Sequence, residues 1–223
     1  IVLLAPEDLD IEAIHALLPT AEVMRVSASW LGKNGIAGYN DMMMSKEFYK
    51  LFSDCEYMLI CQTDAWIFRD ELDKWCDGGY DYVGAPWPKR RRYSMHVVSE
   101  YLWLRRTFMR RTGRVLRQDY FKKVGNGGLS LRKIDSFIKA CDKYADRIAF
   151  FKQRGGTVYN EDWFWALTPT EFKYPTFQQA LGFSFDIRPE LCYALNKQQL
   201  PFGCHGWFKK RHIEFWSPII EKE

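Results

Sequence analysis

The chain reads as an α/β protein, and three observations carry that reading. Apolar runs of strand length alternate with segments of helical spacing, which argues for layered strands and helices over a bundle or an all-β fold. One run, Tyr57–Cys61, ends abruptly in Gln62, Thr63 and Asp64, as a strand does where it meets a ligand-binding crevice. At 223 residues and 47% hydrophobic, the chain is long and apolar enough for one sizeable core. The expectation is a single domain over residues 1–223, with a mixed central sheet and a basic helical insertion at 88–123.

Taken in order, Ile1–Ala5 reads as a strand, and Pro6 with Glu7, Asp8 and Asp10 opens a helix. Ile11, Ile14, Leu17 and Leu18 give that helix an apolar spacing, and Pro19 stops it. Ala21–Ser27 reads as a second strand, and Ser29–Gly38, with three glycines, as a loop. Tyr39–Phe52 has the spacing of one helix, with Tyr39, Met42, Met43 and Phe52 facing inward. After the Tyr57–Cys61 strand come a short helix at Asp70–Trp75 and a strand at Tyr80–Ala85. No apolar stretch reaches the ~18–20 residues of a membrane span, and no signal peptide is visible; a leader ahead of Ile1 stays open.

Four polar clusters follow one another along the chain: QTDAW at Gln62–Trp66, VGNGGLSLR at Val124–Arg132, YNEDWFW at Tyr159–Trp165 and PFGCHGW at Pro201–Trp207. Each has an ordinary structural explanation. Asp64 suits a turn after a strand, and GNGG suits a β-turn. Asn160 suits a helix N-cap, and Glu161 and Asp162 suit the first turn of a helix. Each also has a chemical reading. A carboxylate such as Asp64 suits a hard divalent cation shared with substrate phosphates. Gly125, Gly127 and Gly128 let backbone approach a ligand, and Gly203 and Gly206 place His205 in a tight loop. The glycine cluster is neither a P-loop nor a dinucleotide fingerprint.

In that order the clusters resemble the metal motif, glycine-rich loop, acid motif and late histidine of GT-A fold glycosyltransferases. More narrowly, the chain resembles a glycosyltransferase domain associated with surface-polysaccharide synthesis (lipopolysaccharide or capsule), from about Tyr39 to Trp207. The resemblance implies a Rossmann-like nucleotide-sugar-binding domain that moves a sugar, UDP-linked in the favoured case, to a glycan or lipid-linked acceptor. It implies Asp162 as general base and Glu161 as second acid, with Asp64 and His205 holding Mn²⁺ or Mg²⁺. Donor contacts fall to Ala5, Pro6, Tyr39, Asn40, Gln62, Thr63, Gly127, Gly128, Ser130 and Arg132, the last for phosphate. Trp87, Trp163 and Trp207 are sugar-stacking platforms on the acceptor side, against a default of core packing. One base and no second nucleophile argue for inversion by single displacement. Gln62 stands where the family often has a further acid.

Charge is unevenly spread. Residues 88–123 hold twelve Lys and Arg against Glu100 and Asp119, a net of +10 in a chain of net +4. Tyr101, Leu102, Trp103, Leu104, Phe108 and Met109 are interleaved with this charge. A solvated helical face is one reading; a surface for anionic membrane or acceptor is the other, with nucleic acid disfavoured because the charge is local. The expected location is cytoplasmic, peripheral on the inner face of the membrane. Six cysteines without CxxC spacing argue for a reducing compartment, with a Cys192–Cys204 disulfide left open. Two other functions remain: a catalytically weak glycan- or nucleic-acid-binding protein using the basic segment, and a metal-dependent nucleotidyltransferase.

Overall fold

The computed structural model describes residues 1–89, 93, 95–110, 112–154 and 156–221. Among the described residues the strands form three short sheets. β1 (Val2–Pro6) lies parallel to β2 (Glu22–Val26), joined by α1 (Glu12–Leu17). β3 (Tyr57–Cys61) and β5 (Tyr82–Gly84) flank β6 (Leu129–Lys133), both antiparallel to it. The third sheet has β8 (Gly203–His205) at its centre, antiparallel to β4 (Ala65–Ile67) and parallel to β7 (Ser184–Phe185). Parallel and antiparallel pairings therefore both occur, but the expected single central sheet is divided. The division falls at two of the polar motifs: Gln62 N–H still bonds Gly128 C=O at 2.9 Å, continuing the β3–β6 ladder, and Ala65 N–H then turns back onto Gln62 C=O.

Several expected elements shift. The inward face expected of α1 is not buried: Ile11, at its entry, is packed, while Ile14 and Leu17 are 51% and 80% exposed. Six residues of apolar spacing do not bury a helix when no neighbouring element covers it. The single helix expected over 39–52 is two, α2 (Gly35–Met43) and α3 (Lys46–Lys50). Ser45 makes the break, with extended backbone and a hydroxyl that accepts from Phe48 N–H at 3.2 Å. The glycine loop expected at 29–38 already contains the start of α2. Gly38 is a packing residue there, since a Cβ would lie 2.1 Å from Ser29 C=O.

α4 (Leu72–Asp77) precedes β5, and α5 (His96–Arg110) forms the core of the basic segment. α6 (Ile134–Lys143), α7 (Ala145–Lys152) and α8 (Glu161–Leu167) follow β6. α9 (Phe177–Phe183) leads into β7, α10 (Pro189–Leu195) follows it, and α11 (Ile213–Ile220) follows β8. Among the described residues, no helix is long and apolar enough to cross a membrane.

Aromatic residues fill the largest apolar cluster, where Phe48, Tyr49, Phe137, Phe164 and Trp165 are all buried. Tyr49, Phe137 and Trp165 meet edge-on or tilted, with ring centroids 4.4–6.1 Å apart, within the range of favourable aromatic pairs. A second cluster, with Val83, Leu129 and Phe202, lies between the second and third sheets. Cys192 and Cys204 are buried free thiols in a third cluster with Trp216, so no bond joins them.

Candidate active site

The site is organised around Gly127 and Gly128, which enter β6. A Cβ on Gly128 would lie 2.1 Å from His205 Nε2, and one on Gly127 would lie 1.9 Å from Glu161 Oε1. These glycines are needed because two side chains of the protein itself press against bare backbone. In the direction a Cβ would take, where a ligand was expected to approach bare backbone, Glu161 and His205 stand instead. The acid motif and the late histidine meet on opposite sides of one glycine pair.

On the His205 side, register does the positioning. His205 lies opposite Ala65 in the β4–β8 pair, next to Asp64. Gly206 N–H donates to Asp64 C=O at 2.8 Å, which fixes the turn carrying the carboxylate. His205 Nε2 is 3.0 Å from Asp64 Oδ1 and 3.0 Å from Gln62 Oε1. Its Nδ1 is 3.0 Å from Asp186 Oδ1, which leaves the end of β7, parallel to β8. Lys209 Nζ stands 3.5 Å from Asp64 Oδ2 at the solvent side. Thr63 is exposed on the same turn.

This arrangement fits a divalent cation. A carboxylate fixes Nδ1 of the imidazole, as second-sphere acids do for metal-ligating histidines, and Nε2 faces two oxygens 3.0 Å away. Asp64 and His205 could supply two protein ligands, with Gln62 Oε1 a neutral oxygen beside them. Among the described residues, no group of three or more acid, His or Cys side chains is placed to hold a metal by itself. Such a site suits an ion that completes its shell with substrate phosphates.

On the Glu161 side the pattern is closed. Arg132 is 0% exposed, and every donor group of its guanidinium meets protein. Nε reaches Ser130 Oγ at 3.1 Å, one terminal nitrogen Tyr49 O–H at 2.7 Å, and the other Glu161 Oε2 at 3.1 Å. Ser130 and Arg132, expected as donor contacts with Arg132 on phosphate, are both buried and bonded to side chains of the protein itself. Glu161, expected as the second acid, is likewise buried and ion-paired with Arg132. Burial pushes its carboxyl above the ordinary carboxylate range, and the Arg132 guanidinium works against that shift.

Asp162, next in line, is partly exposed. Burial first, and the Glu161 charge second, raise its carboxyl well above the usual range, and Asp186 adds to the rise. Trp163 N–H donates to its Oδ1 at 2.8 Å, which orients it. The start of α8 is capped across the fold. Asn160 occupies the N-cap position, but Asn40 supplies the acceptor, with Glu161 N–H donating to Asn40 Oδ1 at 3.0 Å and Asn40 Nδ2 bonding Asn160 Oδ1 at 3.2 Å. Tyr39 follows the same inward course. Burial, then the Glu161 charge, push its hydroxyl up.

The three tryptophans divide. Trp87 and Trp163 are buried at 4% and 9% exposure and pack on each other and on Tyr120, so neither is an open sugar platform. Trp207 is half-buried beside the His205 loop, in edge contact with Trp66 and Phe208. Ala5 and Pro6 end β1, where Arg25 closes on Pro6 C=O at 2.9 Å, in a different sheet from the His205 cluster. Sequence reasoning missed Asp186 and Lys209. Asp186 had the same signal as Asp64, an apolar strand ending in an acid (FSFD), and Lys209 lies in the basic run just after GCHGW.

Residues 20–205 match the family described as "Protein of unknown function (DUF5672)", and the chain belongs to that family. No curated protein matches it. Among solved structures it is similar to mouse xyloside xylosyltransferase 1 in its apo form, at 13% identity and a TM-score of 0.50, over 95% of this chain and 86% of that one. The chain thus has a glycosyltransferase-like α/β fold.

Proposed function

We propose that the protein is a glycosyltransferase that moves a sugar from a nucleotide-diphosphate donor, UDP-linked in the favoured case, to a hydroxyl of a glycan or lipid-linked acceptor of surface-polysaccharide synthesis. The observation that supports this most is the half-open Asp64–His205–Asp186 cluster on a glycosyltransferase-like fold. Asp64 and His205 would hold Mn²⁺ or Mg²⁺, which when bound would neutralise charge on the leaving diphosphate. Lys209 offers a fixed positive charge at the same edge. Asp162, oriented by Trp163 N–H, takes the proton of the acceptor hydroxyl as that oxygen bonds the anomeric carbon and the bond to the diphosphate breaks. With one base and direct displacement the product is inverted.

The test is a melting-temperature screen of wild type and Asp64→Asn against nucleotide sugars, nucleoside triphosphates and polyanions, with and without Mn²⁺. Stabilisation of wild type by one nucleotide sugar, dependent on Mn²⁺ and lost in Asp64→Asn, is the expected result. Stabilisation by triphosphates alone favours a nucleotidyltransferase, and by polyanions alone a binding protein. Either outcome overturns the proposal.

A further inference from the structure

Helix α5 leaves four of its apolar residues exposed on one face. Leu102, Trp103 and Arg106 help line an open groove of about 570 Å³ whose walls also include Phe121, Lys122 and Phe177. Arg106 is held there by Asp119 at 3.0 Å. Val97, Tyr101, Leu104 and Phe108 are spaced four, three and four residues apart, so they form one stripe on the face opposite Leu102 and Arg106. Their exposures are 77%, 61%, 60% and 78%. A helix that needed only this fold for its burial would carry the stripe inward. Contiguous apolar surface of this kind marks a contact with something else.

We propose that the outward face of α5 lies in the headgroup layer of an anionic lipid bilayer. Charge selects this occupant. The segment 88–123 carries a net +10, and Arg105 lies beside the stripe and is exposed. A second copy of the chain would set that charge against itself. A nucleic acid would engage the arginines and leave Val97, Leu104 and Phe108 in water. An anionic membrane surface satisfies both features: acyl chains receive the stripe and headgroups the arginines. The sequence locates the charge, and the fold adds that the apolar side chains share one free face.

The proposal is independent of the transferase reading, because binding is measured with no donor or acceptor present. Wild type is sedimented with vesicles of phosphatidylcholine alone and of phosphatidylcholine mixed with phosphatidylglycerol. Binding to the mixed vesicles only, weakening with added salt, is expected. The triple variant Tyr101→Ser, Leu104→Ser, Phe108→Ser should lose at least about tenfold in partition. Arg105→Ser, a single change at an exposed position, should lose about fivefold and serves if the triple variant does not fold. Wild type that stays in the supernatant overturns the proposal, as does a folded triple variant that binds like wild type. So does sedimentation equilibrium showing a wild-type dimer that the triple variant converts to monomer, which would assign the stripe to self-association.

Discussion

Two charge pairs flank the same glycines, and they differ in what else can reach them. Arg132 and Glu161 have side chains 0% and 3% exposed, and Ser130, Tyr49 and two aromatic rings enclose the guanidinium. His205 and Asp64 are 10% and 17% exposed, and Lys209 stands at their rim. In the first pair each guanidinium nitrogen already has a protein partner, so removing either member strands a charge in a dry core. The second keeps an edge open to solvent, so its charges can still serve a ligand. A carboxylate in a suggestive motif is not made catalytic by the motif; what matters is whether the fold leaves it an open side.

The largest effect should come from breaking the closed pair. Arg132→Leu leaves Glu161 uncompensated and should cost about 3–5 kcal/mol in urea unfolding. An unchanged midpoint would remove the distinction between the two pairs. Next, Asp162→Asn should lower turnover by roughly 10²–10⁴ with donor affinity little altered. The base works deprotonated, so wild-type turnover should fall as pH drops through a midpoint above the ordinary carboxylate range. The stability linkage has the opposite sense: a raised folded pKa favours the folded state at low pH, and that contribution fades as pH rises through it. A pH profile that keeps its acid limb in Asp162→Asn would assign the limb to another group. The smallest effect belongs to Asp186→Asn, which should cost about 10–100-fold in Mn²⁺ affinity by titration in the presence of nucleotide diphosphate. A drop in melting temperature without a change in Mn²⁺ affinity would make Asp186 a packing residue.

β1, β2, β3 and β5 and the positions of the four motifs were legible, because a buried strand leaves an apolar run and a turn leaves glycine or a polar residue. The division of roles inside the motifs was not. Arg132 looks like a phosphate ligand in SLR, since nothing local records that Met43, Tyr49 and Glu161 will surround it. Trp87 and Trp163 look like platforms until their rings are seen to pack on each other. Asp186 lay in a strand end as suggestive as that of Asp64, but only pairing of β7 with β8 puts it on His205. The split at Ser45 was missed because the apolar spacing around it reads as one helix, although serine is a preferred capping residue.

The cap on α8 has a consequence for how the protein is made. Glu161 N–H finds its acceptor on Asn40, 121 residues earlier, so the first turn of the acid motif is secured by one of the widest loop closures in the chain. Such closures must be won against chain entropy before they return any stability, and they slow folding. The acid pair therefore takes its final form only when the opening helices and the β6–α8 segment have found each other. Until then a nascent chain would carry its acid motif without the arrangement that positions it.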